Sequence, residues 1–290
     1  MRRFLPFFII ILVIIGAGVS GYFIYKAVKN SNSTVVSDKQ SEEERKEKEA
    51  NERRQQQDLL FEKLRAVFKQ KATGTTFSVS IYDLKHDEYF GLNDTKPQHA
   101  ASVSKVLTAV YTYYLAEKGK IDLSEPLGAY NVETQLKYMV NISNSVSWDL
   151  IDERVGRETQ NKYAKSIGLK SVDLRLGKNM MSPKDATMLL VKLTKEELIS
   201  QENRDKLFSY MQNTENEKFF SPGFPKGTIF YHKTGFYQNE AHDNAYVEHA
   251  KNPFVLTIFS VNNAAAGVSG RGDALTGATT EVFNYFDELK

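Results

Sequence analysis

Hydrophobic positions change their period several times along this chain. Phe4 to Tyr25 is continuously uncharged and apolar, enough to cross about 30 Å of hydrocarbon as one helix. Arg2 and Arg3 precede the run, and Lys26 and Lys29 follow it. A cleaved secretory signal is the competing reading. The run is long for such a segment, however, and no clear small-x-small site closes it, so residues 1–30 read as an uncleaved transmembrane anchor. Residues 31–58 are polar and read as a solvated stalk, with Glu42–Lys46 and Glu44–Lys48 at helix-favouring i,i+4 spacing. Leu60, Leu64, Val67 and Phe68 then recur at helical spacing and predict a first docked helix from near Leu59.

From residue 76 the period becomes two. Phe77, Val79 and Ile81 alternate with Ser78, Ser80 and Tyr82, and the polar turn at Lys85–His86–Asp87 leads into Glu88–Tyr89–Phe90, predicting a hairpin. Residues 102–211 are helical in pattern, broken at Gly119, Pro126, Gly168 and Pro183. Strands return at residues 228–233, 245–248 and 253–261, and a helix at 276–289 closes the chain. Strands at both ends with helices between them predict an α+β domain over residues 59–290. Its antiparallel sheet would be flanked by helices and joined to an all-helical lobe, with a cleft where the two meet.

Charge narrows the function classes. There are 38 Lys+Arg against 36 Asp+Glu, a net charge of +2 that gives no case for nucleic acid. The absence of cysteine excludes disulfides, thiolate catalysis and Cys-based zinc sites. His86, His99, His232, His242 and His249 form no HExxH or similar spacing, so no metal site is expected.

Three short motifs remain. Ser102-Val103-Ser104-Lys105 opens an amphipathic helix, with Ser102 and Lys105 one turn apart on one face. A serine hydroxyl is a poor nucleophile until a neighbouring base takes its proton, and a desolvated lysine is such a base. The helix N-terminus adds N–H groups where an oxyanion would form. His232-Lys233-Thr234-Gly235 reads as the end of an alternating strand followed by a glycine turn. Between these two lies Ser143-Asn144-Ser145, followed by an apolar helical pattern at Trp148, Leu150 and Ile151.

In this order the motifs resemble those of the serine penicillin-recognising enzymes, class A β-lactamases and penicillin-binding D,D-peptidases, whose marks are S-x-x-K, S-x-N and K-T-G. Residues 77–89, 97–101, 223–227 and 243–261 are also similar to class A segments, so the resemblance covers residues 60–290. It implies Ser102 as nucleophile, Lys105 as its general base and Ser143 as proton shuttle to the leaving nitrogen. Lys233 and Thr234 would hold the substrate carboxylate, and Gly235 would let a ligand approach the backbone. The N–H groups of Ser102 and Phe236 would form the oxyanion hole. Ser145 would take the substrate-binding position that asparagine usually occupies.

The pattern departs from the family at three places. Serine replaces that asparagine, and the stretch from Ser102 to Ser143 is short for class A enzymes. Residues 169–183, where class A enzymes carry a water-activating glutamate, contain none, and Asp173 is their only acid. Asp173 reads as a salt-bridged surface residue near Arg175. Arg271-Gly272-Asp273 reads as a loop, His242-Asp243 as the turn entering a strand, and His232 as packing beside its strand.

The expectation is a monomeric, membrane-anchored serine acyl-hydrolase of a Gram-positive-type bacterium, with its catalytic domain outside the cell membrane. It needs no cofactor, and it acts on β-lactams or peptidoglycan-type D-alanyl acyl donors through an acyl-Ser102 intermediate. The rival is a degenerate module that binds wall fragments or proteins without turnover.

Overall fold

The computed structural model describes residues 42–262 and 270–289. The chain divides into two units, Met1–Gln56 and Gln57–Lys290. In the first, residues 42–56 are helical and mostly exposed. Lys46 lies 2.6 Å from Glu42, and Arg45–Glu49 and Lys48–Glu52 pair at 4.0 Å, all at i,i+4 spacing. Such exposed pairs favour the helix only weakly. Among the described residues no helix is long and apolar enough to cross a membrane, and the anchor expected at residues 1–30 lies outside them.

The second unit opens with helix α1 (57–71), which buries Leu60, Leu64 and Phe68. Its sheet contains β1 (Thr75–Asp83), β2 (Glu88–Leu92), β7 (Phe230–Tyr237), β8 (Glu240–Val247) and β9 (Phe254–Asn262), in the order β2-β1-β9-β8-β7 and antiparallel throughout. The alternation in β1 sends Phe77, Val79 and Ile81 into one core with α1 and α8 (Arg271–Glu288). Ser78, Ser80 and Tyr82 take the other face, beneath α6 (Pro183–Thr194), where Thr187 meets Thr257 at 2.7 Å.

The second core is the helical lobe: α2 (Lys105–Glu117), α3 (Val132–Asn141), α4 (Ser145–Val155), α5 (Arg157–Ser166) and α7 (Gln201–Tyr210). Every residue of α2 from Lys105 to Tyr113 is buried, as befits the central helix of a bundle. Asn131, Asn144, Ser182 and Ser200 cap α3, α4, α6 and α7 with their side chains, each contributing about 1 kcal/mol. Short strands β3 (Gln98–His99) and β6 (Met180–Met181) pair with each other, and β4 (Pro126–Leu127) pairs with β5 (Tyr130–Asn131).

Three expectations are corrected. The Lys-Thr-Gly segment does not end its strand, because β7 runs on to Tyr237. His242 and Asp243 lie in the middle of β8 rather than at a turn. Arg271-Gly272-Asp273 is the first turn of α8 rather than a loop, and Arg271 is buried there with its guanidinium on the Asn239 carbonyl.

Gly235 serves close packing instead of a turn. A Cβ at this position would lie 3.1 Å from the Ala100 carbonyl oxygen, 3.1 Å from Val103 Cγ2 and 3.2 Å from Ala101 Cβ. Only a glycine lets β7 dock so closely on the turn that carries Ser102. Gly235→Ala is therefore expected to cost about 1–3 kcal/mol of overpacking, lowering Tm by roughly 2–4 °C per kcal/mol. An unchanged Tm in a thermal melt would show that this docking is loose.

Candidate active site

Ser102 sits on a single 3-10 turn, Ala101–Ser104, that leads directly into α2. In a 3-10 turn the side chains at i and i+3 eclipse, which lines up Ser102 with Lys105. The Lys105 N–H closes the turn on the Ser102 and Val103 carbonyls. Ala101 holds φ 47, a left-handed conformation unusual for alanine. It is fixed from residue 179: Asn179 donates its amide to the Ala101 carbonyl at 2.8 Å and accepts from the Ser104 hydroxyl at 2.7 Å. The Ala100 N–H bonds to the Asn179 carbonyl at 2.8 Å.

Lys105 is fully buried. Burial pushes its ammonium down to about 8, against the opposing fields of Asp149 and Asp152. Its Nζ donates to the Ser143 carbonyl at 2.6 Å and reaches the Ser143 hydroxyl at 3.4 Å. Ser143 itself stands at φ 57 between α3 and α4, so the lysine closes on a strained connection. The chain's single tryptophan, Trp148, covers Lys105 with its ring centroid 5.2 Å from Nζ. Its indole N–H bonds to Thr108 at 3.1 Å, and Thr108 donates to Gln160 at 2.7 Å.

Opposite this group runs β7, one of the two edge strands of the sheet. Alternate N–H groups of an edge strand face away from its one neighbour. Lys233 is buried with Nζ 2.9 Å from the Thr234 carbonyl. Burial first, and then the charge of Lys105, push it down to about 7, partly offset by Asp243 and Glu215. Thr234 stands opposite Asp243 in the register, and Phe236 opposite Ala241.

His232 of β7 forms a buried pair with a carboxylate of β8. Its Nδ1 lies 3.0 Å from Asp243, and its Nε2 lies 3.0 Å from Thr214 and 3.2 Å from Glu217. Burial opposes its charge, yet Asp243 and Glu217 outweigh burial and raise it to about 9. His232 thus ties residues 214–220 to β7 by charge. His242 is held neutral by burial, down to about 4, donating to the His99 carbonyl and accepting from the Ser260 N–H.

The eight residues singled out from the motifs divide as follows. Lys105 and Ser143 are in contact, Ser102 stands on the turn just before Lys105, and the charge of Lys105 disfavours that of Lys233. Thr234, Gly235 and Phe236 follow on the facing strand. Ser145 is exposed at the first position of α4, where its neighbour Asn144 caps the helix at 2.8 Å from the Ser147 N–H. The described residues contain no cluster of metal-ligating side chains.

A model of the β-lactamase enzyme family matches residues 59–286. The chain belongs to that family. The fold is similar to that of a PBP-A mutant in an acyl-enzyme complex with penicillin G, with a TM-score of 0.73 and 19% identity over 80% of this chain and 97% of that one. An ancestral class A β-lactamase of Gram-negative bacteria superposes with a TM-score of 0.72 at 18% identity, over 78% of this chain and 100% of that one. At these identities the likeness concerns the fold. No curated protein matches the chain. Family membership supports serine acyl-hydrolase chemistry in general.

Residues 169–183 hold the acid Asp173 and the asparagine Asn179. Asp173 gives its carboxylate to Arg175 at 2.8 and 2.6 Å, and that hydrogen bonding, only partly opposed by burial, holds it down to about 2. Farther along, Asn179 immediately precedes β6, which pairs with β3, and reaches the turn that carries Ser102. Asn179 and Trp148 carry no motif. The only signal for Asn179 is asparagine's tolerance of a left-handed φ, here 46.

Asn179→Gly keeps that conformation accessible and deletes the clamp, so any acylation of Ser102 by penicillin is expected to slow about ten- to a hundredfold, the scale of the two side-chain hydrogen bonds lost. Asn179→Ala adds backbone strain and should slow it further. Stopped-flow acylation at the wild-type rate in both variants would show that Asn179 serves stability alone.

Proposed function

We propose that this protein is a membrane-anchored, extracytoplasmic serine acyl-hydrolase acting on β-lactams or D-alanyl-type acyl donors through Ser102. The observation that carries the reading is the buried Lys105, held against Ser143 beside the serine turn. A neutral lysine amine there can accept the serine proton, because desolvation has already brought its pKa near neutrality.

Two lysines in one pocket decide where the proton sits. With the site empty, each ammonium disfavours the other. A substrate carboxylate arriving at Lys233 and Thr234 stabilises charge on Lys233, and that charge favours the neutral form of Lys105. The Ser102 oxygen then attacks the acyl carbon while its proton passes to Lys105 Nζ. The oxyanion is held by the N–H groups of Ser102 and Phe236. As the C–N bond breaks, the proton moves from Lys105 through the Ser143 hydroxyl to the leaving nitrogen. The ester so formed awaits water, which must add its hydroxyl to the carbonyl carbon and return a proton to the Ser102 oxygen.

That last step has no evident base. Residues 169–183 contain no glutamate, and the one acid among them is engaged by Arg175. The acyl-enzyme should therefore accumulate, as in a D,D-peptidase trapped by penicillin. Support for the membrane location is the uncharged run Phe4–Tyr25 alone.

The full chain in detergent, mixed with penicillin G and followed by intact mass, is expected to gain one penicilloyl group that persists for many minutes and is absent in Ser102→Ala. Its formation rate should rise with pH through about 7 to 8 as the coupled lysines lose a proton. An adduct that forms and disappears with turnover would make the protein a true β-lactamase with another group activating water. No adduct would favour the non-catalytic binding module.

A further inference from the structure

A second cleft, of about 250 Å³, opens between α7 and the start of β7, away from the serine turn. Tyr231 of β7 and Tyr246 of β8 line it as register partners, their rings 5.6 Å apart at 14°. Phe208 of α7 is buried against both, at 4.7 and 5.6 Å, so the ring pair is fixed before any ligand arrives. Tyr231 shares a face of β7 with Lys233 but stands two residues, about 7 Å, nearer the start of the strand. The His232 N–H between them bonds to the Met211 carbonyl at 2.8 Å, fastening the C-cap of α7 to β7.

The polar lining is mixed in sign. Arg204 is largely buried, and its charge is answered by Asp205 at 2.8 and 3.0 Å and by Glu196. Asp205 and Glu248 each commit one carboxylate oxygen, to Arg204 and to the Tyr231 hydroxyl at 3.0 Å. Their second oxygens, the Gln212 amide and the Tyr246 hydroxyl make no hydrogen bond among the described residues. Burial first and then Glu248 push the Tyr231 phenol up to about 12 and raise that of Tyr246, so both remain protonated donors. An anion would meet the two carboxylates, and a cation would meet a guanidinium whose own counter-charges are already engaged. A neutral ring with hydroxyls on its rim and C–H groups on its faces meets neither obstacle.

We propose that this cleft is a carbohydrate site that takes one neutral hexose ring, its C–H groups on Tyr231 and Tyr246 and its hydroxyls on Asp205, Gln212 and Glu248. Hydroxyls that donate to carboxylates form short, charge-assisted hydrogen bonds, and the tyrosines supply a flat apolar surface already held in place. The volume equals that of about eight waters, the scale of a single sugar ring rather than of a drug-sized ligand. The site rests on the cleft alone and not on the chemistry proposed for Ser102.

The test is saturation-transfer NMR with methyl β-D-glucoside on the full chain, held in a detergent without a sugar headgroup. A dissociation constant of about 1–10 mM is expected, the affinity of one small ring in an open cleft. Tyr246→Leu removes one ring and keeps an apolar side chain, while Glu248→Gln removes the charge and keeps the shape. Each should weaken binding about three- to tenfold. Ser102→Ala should bind as the wild type does, and penicillin G should not displace the sugar. Cellotetraose separates two sources of such a ring: a gain in affinity beyond the count of its four rings assigns a glycan chain, and no such gain assigns a single sugar. No saturation transfer at concentrations about tenfold above the expected range, an affinity unchanged in either variant, or displacement by penicillin G overturns the site. None of these readouts depends on turnover at Ser102, so this proposal and the acyl-hydrolase reading fail separately.

Discussion

Two ammonium groups are buried within each other's field, Lys105 on the first turn of α2 and Lys233 on the edge strand β7. Neither would be tolerated in an ordinary core, because an ion without a close counter-charge costs several kcal/mol to bury. Here each is offered carbonyl oxygens, from Ser143 and Thr234, in place of a carboxylate. A carbonyl favours the ammonium far less than a carboxylate would, so these partners leave the proton freer to move. The sign of the cost follows from the depressed values. The folded state is penalised progressively as pH falls from about 10.4 towards 7–8, since the unfolded chain binds those protons more tightly. A fold that keeps both lysines accepts that penalty to hold a base that is uncharged near neutral pH.

The rest of the second unit holds these two groups in register. Gly235 lets β7 come against the serine turn, and Asn179 pins that turn from the far side. Trp148 shields Lys105 from water. Behind β7 the charged His232, held by Asp243 and Glu217, fastens residues 214–220. Asn141, the last residue of α3, accepts from the Glu215 N–H of that segment at 3.3 Å and donates to the Tyr210 and Gln212 carbonyls just before it. One short loop therefore spans from the Ser143 side of the site to the Lys233 side.

The parts legible in the sequence are those encoded by local spacing. The period-two run of β1, the helical spacing of α1 and the three motifs each declare themselves within a few residues. What was illegible depends on partners far apart in the chain. Asn179 acts on Ala101, Trp148 on Lys105, and His232 on Glu217 and Asp243 across a strand pair. Gly235 illustrates a local signal that misleads, since a glycine after a strand reads as a turn when the close neighbour that requires it cannot be seen. Arg271 was misplaced for the same reason: a run of Arg, Gly and Asp reads as loop, while burial against the β7–β8 hairpin makes it the start of a helix. The serine at position 145 remains a departure from the family's usual asparagine, exposed at the start of α4.

The most direct test of the lysine pair is an NMR titration of the full-length Ser102→Ala protein with 13Cε-labelled lysine, with and without penicillin G, using Lys105→Met and Lys233→Met for assignment. Lys105 is expected to titrate near 8 when the site is empty, and lower once the ligand carboxylate fixes the charge on Lys233. A Lys105 signal titrating near about 10.4 in both states would mean that it stays charged at neutral pH and cannot be the base that activates Ser102.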